Sequence, residues 1–261
     1  MKEDKIPVLE EFVSYQGEGL NIGRPYYFIR VGGCPLRCNW CDSEYSWKVD
    51  NGKIQEVSRV AQKALETCER YGIEWISITG GEPLLYPEQL LRMITSWKIM
   101  SYGKIKTHIE TSGRFYNEKV HNACSLYSPD AKTPITGEQM VGYFKGIEFM
   151  RDCDQVKCLI SNNHDLDYAY DLNKVLDGST NMVLQPFNKM IFTNSTSRMT
   201  PEQEKERITQ MPVQSQVLRS QSKSLNNVFE LLKERMQRET WKRVIVTPQI
   251  HVTAYGNKPL T

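Results

Sequence analysis

Long apolar runs are missing from this chain: nowhere does it approach the roughly 18 consecutive apolar residues of a membrane-spanning helix. An excess of charge of one sign is missing too. Thirty-three Lys and Arg stand against 31 Asp and Glu, a net charge of +2, so charge gives no support to a nucleic-acid or membrane-surface role. The first residues, Met1-Lys2-Glu3-Asp4-Lys5, lead into no apolar segment of the secretory type. The expected compartment is therefore the reducing cytoplasm. Histidine is scarce, and His108, His121, His164 and His251 stand far apart from one another, so no closely spaced histidine pair offers itself to zinc. The seven cysteines are an odd number, and in such a compartment no disulfide framework is expected.

What is present is a rhythm. Residues 25–31, 74–79, 104–110, 123–127, 155–160, 182–185 and 243–247 read as strands. Between them, Val57, Val60, Ala64, Leu65 and Cys68 form one helical stripe. Leu90, Leu91, Ile94 and Trp97 form a second, with Pro87 suited to its first turn. Leu225, Val228, Phe229, Leu232 and Met236 form a third, either core or interface. Repeated strand–helix units argue for a parallel sheet with helices outside, open or curled into a barrel. No repeat or boundary divides the chain, so one domain over 1–261 is expected. Residues 188–227 break the rhythm, being rich in Ser, Thr, Gln, Met and charge. They read as a polar surface excursion with one short helix over about 201–209, serving either as a lid or as an insertion without function.

Cys68, Cys124, Cys153 and Cys158 lie in or beside apolar stretches and read as small hydrophobes. The other three are packed into Gly32-Gly33-Cys34-Pro35-Leu36-Arg37-Cys38-Asn39-Trp40-Cys41-Asp42. Thiolates at C-x3-C-x2-C spacing converge only if the backbone wraps a common centre, and the paired glycines and the proline suit such a loop. Three close ligands fit an iron–sulfur cube with one iron left open to a substrate or cofactor. Zinc, which wants a fourth ligand, and plain structural thiols are the alternatives. Further on, a strand runs into Thr79-Gly80-Gly81-Glu82-Pro83. Glycines at a strand end let a ligand approach the backbone, and Glu82 offers a carboxylate to an ammonium group.

The cysteine spacing, with aromatic Trp40 before the last cysteine and the Gly-Gly-Glu-Pro turn beyond, resembles the radical S-adenosylmethionine (SAM) superfamily. That resemblance implies a 4Fe–4S cluster on Cys34, Cys38 and Cys41, with SAM chelated to the open iron. It also implies an α/β fold, a partial (βα)6-type open TIM-like barrel with its chemistry at the strand C-terminal ends. A longer series is similar to the 7-carboxy-7-deazaguanine synthase family. It comprises Gln16-Gly17-Glu18-Gly19, Gly23-Arg24-Pro25, Phe28-Ile29-Arg30, Cys41-Asp42-Ser43 and His108-Ile109-Glu110-Thr111-Ser112-Gly113. Leu184-Gln185-Pro186-Phe187 and Pro248-Gln249-Ile250-His251 complete it.

This second resemblance implies conversion of 6-carboxy-5,6,7,8-tetrahydropterin to 7-carboxy-7-deazaguanine with release of ammonia, toward queuosine and related bases. SAM would be used catalytically and Mg2+ would assist. At SAM the resemblance places Trp40, Asp42, Gly81, Glu82 and Ser112, together with Ser128, Lys132, Gln185 and Phe187. At the substrate it places Tyr15, Gln16, Gly17, Glu18 and Arg30, together with Thr79, Glu110 and His251. Chemistry agrees for three of these: a guanidine-like pterin edge wants the carboxylates of Glu18 and Glu110, and the substrate carboxylate wants the Arg30 fork. Ser43 stands where the family usually has Thr and keeps the hydroxyl oxygen for Mg2+. A flavodoxin- or ferredoxin-type electron donor and a homodimer are the implied partners, with neither nucleic acid nor membrane among them. The chain departs from the family at Ser128-Pro129-Asp130-Ala131-Lys132, where Ser-Pro-Lys is usual. A glycyl-radical activase and a non-catalytic metal-binding module are the rival readings; the first needs no pterin pocket and the second no Glu82.

Overall fold

Alternation of side chains between two environments decides the architecture. The computed structural model describes residues 4–187 and 214–250. It forms one nine-stranded sheet in the order β3-β1-β2-β4-β5-β6-β7-β8-β9. The strands are β1 (Lys5–Tyr15), β2 (Pro25–Val31), β3 (Lys53–Glu56), β4 (Trp75–Gly80), β5 (Lys106–Thr111), β6 (Leu126–Ala131), β7 (Gln155–Ile160), β8 (Asn181–Pro186) and β9 (Val244–Val246). β1 is antiparallel to β2 and β3; every pairing from β2 through β9 is parallel. β3 and β9 sit at opposite edges of the sheet, so the barrel is open, as the superfamily resemblance implies.

Among the described residues five α-helices accompany the sheet: α1 (Val57–Tyr71), α2 (Pro87–Met100), α3 (Glu118–Ala123), α4 (Asn163–Val175) and α5 (Gln214–Met236). α1 buries Val57, Val60, Ala61, Ala64, Leu65 and Cys68. It stops where Gly72 takes a left-handed φ of 67°, and Ile73 N donates back to Cys68 O at 2.9 Å. α2 begins on Pro87, as read from the sequence, and its fully buried Trp97 donates Nε1 to Ala61 O at 2.8 Å, locking the two helices together. The sheet residues facing the helices are apolar and buried: Ile29, Ile76, Ile78, Ile109, Val156, Cys158, Met182 and Leu184. Their sequence neighbours therefore face the other way. These are Phe28 and Arg30, Ser77 and Thr79, His108 and Glu110, Gln155 and Lys157. The concave face is thus polar and pre-set for a ligand.

The structure corrects several sequence expectations. β1 and β3 were not anticipated: β1 carries a bulge between Val8 and Glu10, and β3 is a short polar edge. The strand expected over 123–127 instead begins at Leu126 and runs through Pro129 to Ala131, after α3. α5 starts at Gln214, so 214–227 of the expected excursion is helical, while 188–213 lies outside the described residues. Its apolar stripe divides, with Val228 and Leu232 in the core and Phe229 and Met236 exposed. Cys68, Cys124 and Cys158 are buried as expected, but Cys153 is exposed. No described helix is long and apolar enough to cross a membrane.

Candidate active site

The β2 strand delivers the chain into the cysteine loop, and backbone bonds hold that loop in place. Gly33 N donates to Ser46 O at 2.8 Å and Cys34 N to Trp47 O at 3.0 Å. Asn39 N reaches Thr136 O at 2.9 Å, and Arg37 N reaches Glu138 Oε1 at 2.7 Å. Leu36 turns inward and is 2% exposed. Cys34, Cys38 and Cys41 are free, half-buried and line one cavity of about 280 Å3. Burial pushes all three thiols up, Cys41 to about 11, and neighbouring cysteines add to the rise. Lys132 pulls Cys34 and Cys38 the other way. Three thiols on one loop facing one cavity are the donor set of a cluster with an open iron.

The glycine turn after β4 is fitted against this loop. Gly81 N donates to Val31 O at 2.9 Å and Glu82 N to Gly33 O at 2.7 Å. A Cβ on Gly81 would stand 2.1 Å from Gly33 O and 2.8 Å from Ser46 O. Only glycine permits that approach. Glu82 is fully buried, and its carboxylate is already engaged. Oε1 accepts from Leu84 N at 2.9 Å and Thr111 Oγ1 at 2.7 Å; Oε2 accepts from Ser112 N at 2.9 Å and from the Ser112 hydroxyl. An ammonium at this carboxylate would have to take the place of the Thr111 or Ser112 hydroxyl.

The other residues expected at SAM share the same cavity. Trp40, half exposed, packs on Phe187 with ring centroids 5.1 Å apart. Asp42 lines the wall near them. Ser128 is buried and receives Gln155 Nε2 at 2.8 Å. Lys132 pairs with Asp130 at 3.0 Å, and both line the cavity. Gln185 is directed elsewhere: its Nε2 donates to Glu18 Oε1 at 2.8 Å, so a residue expected at SAM buttresses one expected at substrate. Ser43 Oγ lies 3.8 Å from Cys41 Sγ at the cavity wall.

The residues expected at the substrate converge from β1, β2, β4 and β5. Gln16 Nε2 donates to Glu110 Oε1 at 2.8 Å, and Ser77 Oγ donates to the same oxygen at 3.0 Å. Thr79 Oγ1 stands 3.5 Å from Glu110 Oε2. Burial works to raise the Glu110 pKa, but His108 and Lys157 hold it below the ordinary carboxylate value. Arg30 is oriented by Glu10, which its Nε meets at 2.9 Å, and Tyr45 donates to that same Glu10 oxygen at 3.0 Å. Among the described residues the two terminal Arg30 nitrogens have no acceptor. Tyr15, exposed, lies at the rim beside Gly17, whose carbonyl receives Ile250 N at 3.0 Å. His251 lies outside the described residues.

Sequence reasoning missed four groups here. Lys157 meets Glu18 Oε2 at 2.7 Å, and Gln249 Nε2 reaches Glu18 Oε1 at 2.8 Å. Gln155 Oε1 accepts Leu20 N at 2.7 Å. Burial drives His108 down to about 4, against the pull of Glu110, so it is neutral beside the cavity. Their signal was strand parity: each except Gln249 lies on an inward position of β5 or β7.

A family model described as "4Fe-4S single cluster domain" matches residues 15–131, the stretch from the Gln16 loop through β6. The 7-carboxy-7-deazaguanine synthase of Pyrobaculum aerophilum is 38% identical over 111 residues, covering 42% of this chain and 47% of that protein. That of Prochlorococcus marinus is 31% identical over 170 residues, covering 64% and 70%. That of Clostridium acetobutylicum is 30% identical over 186 residues, covering 69% and 80%. The crystal structure of QueE from Escherichia coli superimposes with a TM-score of 0.55 at 22% identity, over 78% of this chain and 90% of that one. Cysteine loop, glycine turn and carboxylate-lined cavity thus occur together in a chain that belongs to the 7-carboxy-7-deazaguanine synthase family, radical SAM enzymes of deazapurine biosynthesis.

Proposed function

We propose that this chain converts 6-carboxy-5,6,7,8-tetrahydropterin to 7-carboxy-7-deazaguanine with release of ammonia, as one domain over 1–261. The observation that carries the reading is one cavity lined by Cys34, Cys38 and Cys41 together with Glu18, Arg30 and Glu110. Cys34, Cys38 and Cys41 would hold the cluster, which would supply the electron for reductive cleavage of SAM and so the radical chemistry of the site. The chain's own residues bind and orient. Arg30, fixed by Glu10 and Tyr45, offers its terminal nitrogens to the substrate carboxylate as a two-pronged clamp. Glu110, kept anionic, accepts N–H groups from the pterin's amino edge. Gly81 and Glu82 position SAM's amino group, and Trp40 with Phe187 flanks its adenine. Ser43 offers a hydroxyl oxygen to Mg2+ beside the substrate carboxylate. Holding the substrate by both ends fixes one C–H bond toward the radical source, which is the catalytic contribution of geometry. A flavodoxin- or ferredoxin-type donor, a homodimer and a cytoplasmic setting complete the proposal.

The test is reconstitution. Cluster-loaded protein, dithionite, SAM, Mg2+ and the carboxytetrahydropterin should give deazaguanine absorbance and ammonia, with SAM recovered. A loaded cluster that cleaves SAM but yields no deazaguanine would falsify the substrate assignment. Omitting Mg2+ with a chelator present should slow turnover, and Ser43→Ala should weaken the Mg2+ response.

A further inference from the structure

A carboxylate can only accept hydrogen bonds. The pterin edge that carries the N–H donors also carries a carbonyl oxygen directly beside them, and no carboxylate can bind that oxygen. The cavity holds a cation suited to it. We propose that Lys157 binds the 4-oxo oxygen of the pterin while Glu110 takes the adjacent N–H groups, so that Lys157 sets selectivity for 4-oxo over 4-amino pteridines. The inference rests on the pterin reading above and assigns a residue to it.

Three observations support the division of labour. Lys157 lies on β7 opposite Asp130 in register, lines the cavity, and its side chain is 12% exposed. Its ammonium has three donors, and Glu18 Oε2 at 2.7 Å accounts for one. Glu18 itself is heavily engaged: Gln185 and Gln249 each donate to Oε1 at 2.8 Å while Lys157 holds Oε2. Glu110 is the more open carboxylate, since Oε2 has only Thr79 Oγ1 at 3.5 Å among the described residues. Burial disfavours charge on Lys157, yet Glu18, Glu110 and Asp130 hold it protonated. Glu110 on β5 and Lys157 on β7, with β6 between them, thus present an acceptor and a donor to one cavity, close enough that Glu110 helps hold Lys157 protonated. An N–H beside a C=O is the complementary pattern. A 4-amino group would turn donors toward the ammonium and leave one of the buried Lys157 donors facing a donor instead of an acceptor, which is the strong form of discrimination.

The experiment compares two aromatic probes that bind without reacting: 6-carboxypterin and 2,4-diaminopteridine-6-carboxylate. Binding to the cluster-loaded full chain with SAM is measured by calorimetry near neutral pH. The wild type should prefer the 4-oxo probe by roughly tenfold or more. Lys157→Met should bring the ratio close to unity. The double variant Lys157→Met, Glu18→Gln removes one charge of each sign, guards against misfolding and should lose the ratio in the same way; cluster absorbance and melting temperature report its fold. Equal binding of both probes by the wild type, or a ratio that survives in both variants, overturns the assignment. If the wild type turns over the carboxytetrahydropterin while the ratio is flat, Lys157 alone is misassigned; absence of turnover refutes the parent reading.

Discussion

Gly81 has no room for a methyl group. Alanine there would press on Gly33 O and Ser46 O, both backbone atoms that cannot swing aside. Gly81→Ala should cost about 1–3 kcal/mol by urea unfolding and release iron faster to a chelator. His108 gives a pH dependence whose sign follows from burial. Its folded pKa is about 4 against 6.5 unfolded. Above 6.5 both states are neutral and the stability is intact. As pH falls toward 4 only the unfolded chain takes the proton, and stability drops by up to about 1.4 kcal/mol per pH unit. His108→Gln should flatten the urea midpoint across that window; an unchanged slope would mean His108 titrates normally. At this scale the motif residues were legible, because cysteine spacing and paired glycines have few other uses. His108 and Lys157 were not, because a solitary His or Lys on a strand has no local pattern, and its meaning comes only from the strand across from it.

A brace connects α4 to the cysteine loop. Buried Asp165 in the first turn of α4 accepts Ile135 N at 3.0 Å and Ser161 N at 2.9 Å. The Pro134–Thr136 turn so held presents Thr136 O to Asn39 N at 2.9 Å. Asp165→Ala leaves two part-buried amides without their acceptor and should cost about 1–3 kcal/mol. Its diagnostic effect is a shorter half-life of the cluster absorbance, despite its distance in sequence from the cysteines. Elements with a strong period, α1, α2, β2 and β7, were read with close to correct limits. β6 was misread because Pro129 looks like a stop, although its ring replaces an N–H the ladder can spare at that position. α4 was missed because its charged residues interrupt the stripe that Leu166, Ala169 and Leu172 bury.

For the whole molecule, the parallel sheet and open barrel were implied by the resemblance and by strand–helix alternation, while the antiparallel β3–β1 edge was not. That edge matters because the chain leaving β1 carries Gln16 and Glu18 onto the polar face of the sheet. Ligands that bind only the folded state stabilise it. SAM at about 100 times its Kd should add about 2.7 kcal/mol, which for a chain of this size is a rise of roughly 5–10 °C in Tm. Scanning calorimetry of cluster-loaded protein with and without SAM checks this. The short bond from Glu82 N to Gly33 O, 2.7 Å long, has a thermodynamic corollary. It makes the cysteine loop and the glycine turn one mechanical piece. Any shift that iron imposes on the first is felt by the second, and the coupling is reciprocal. Whatever factor the cluster adds to SAM affinity, SAM must return to iron affinity, so a cell short of SAM would also find this protein holding its metal less tightly.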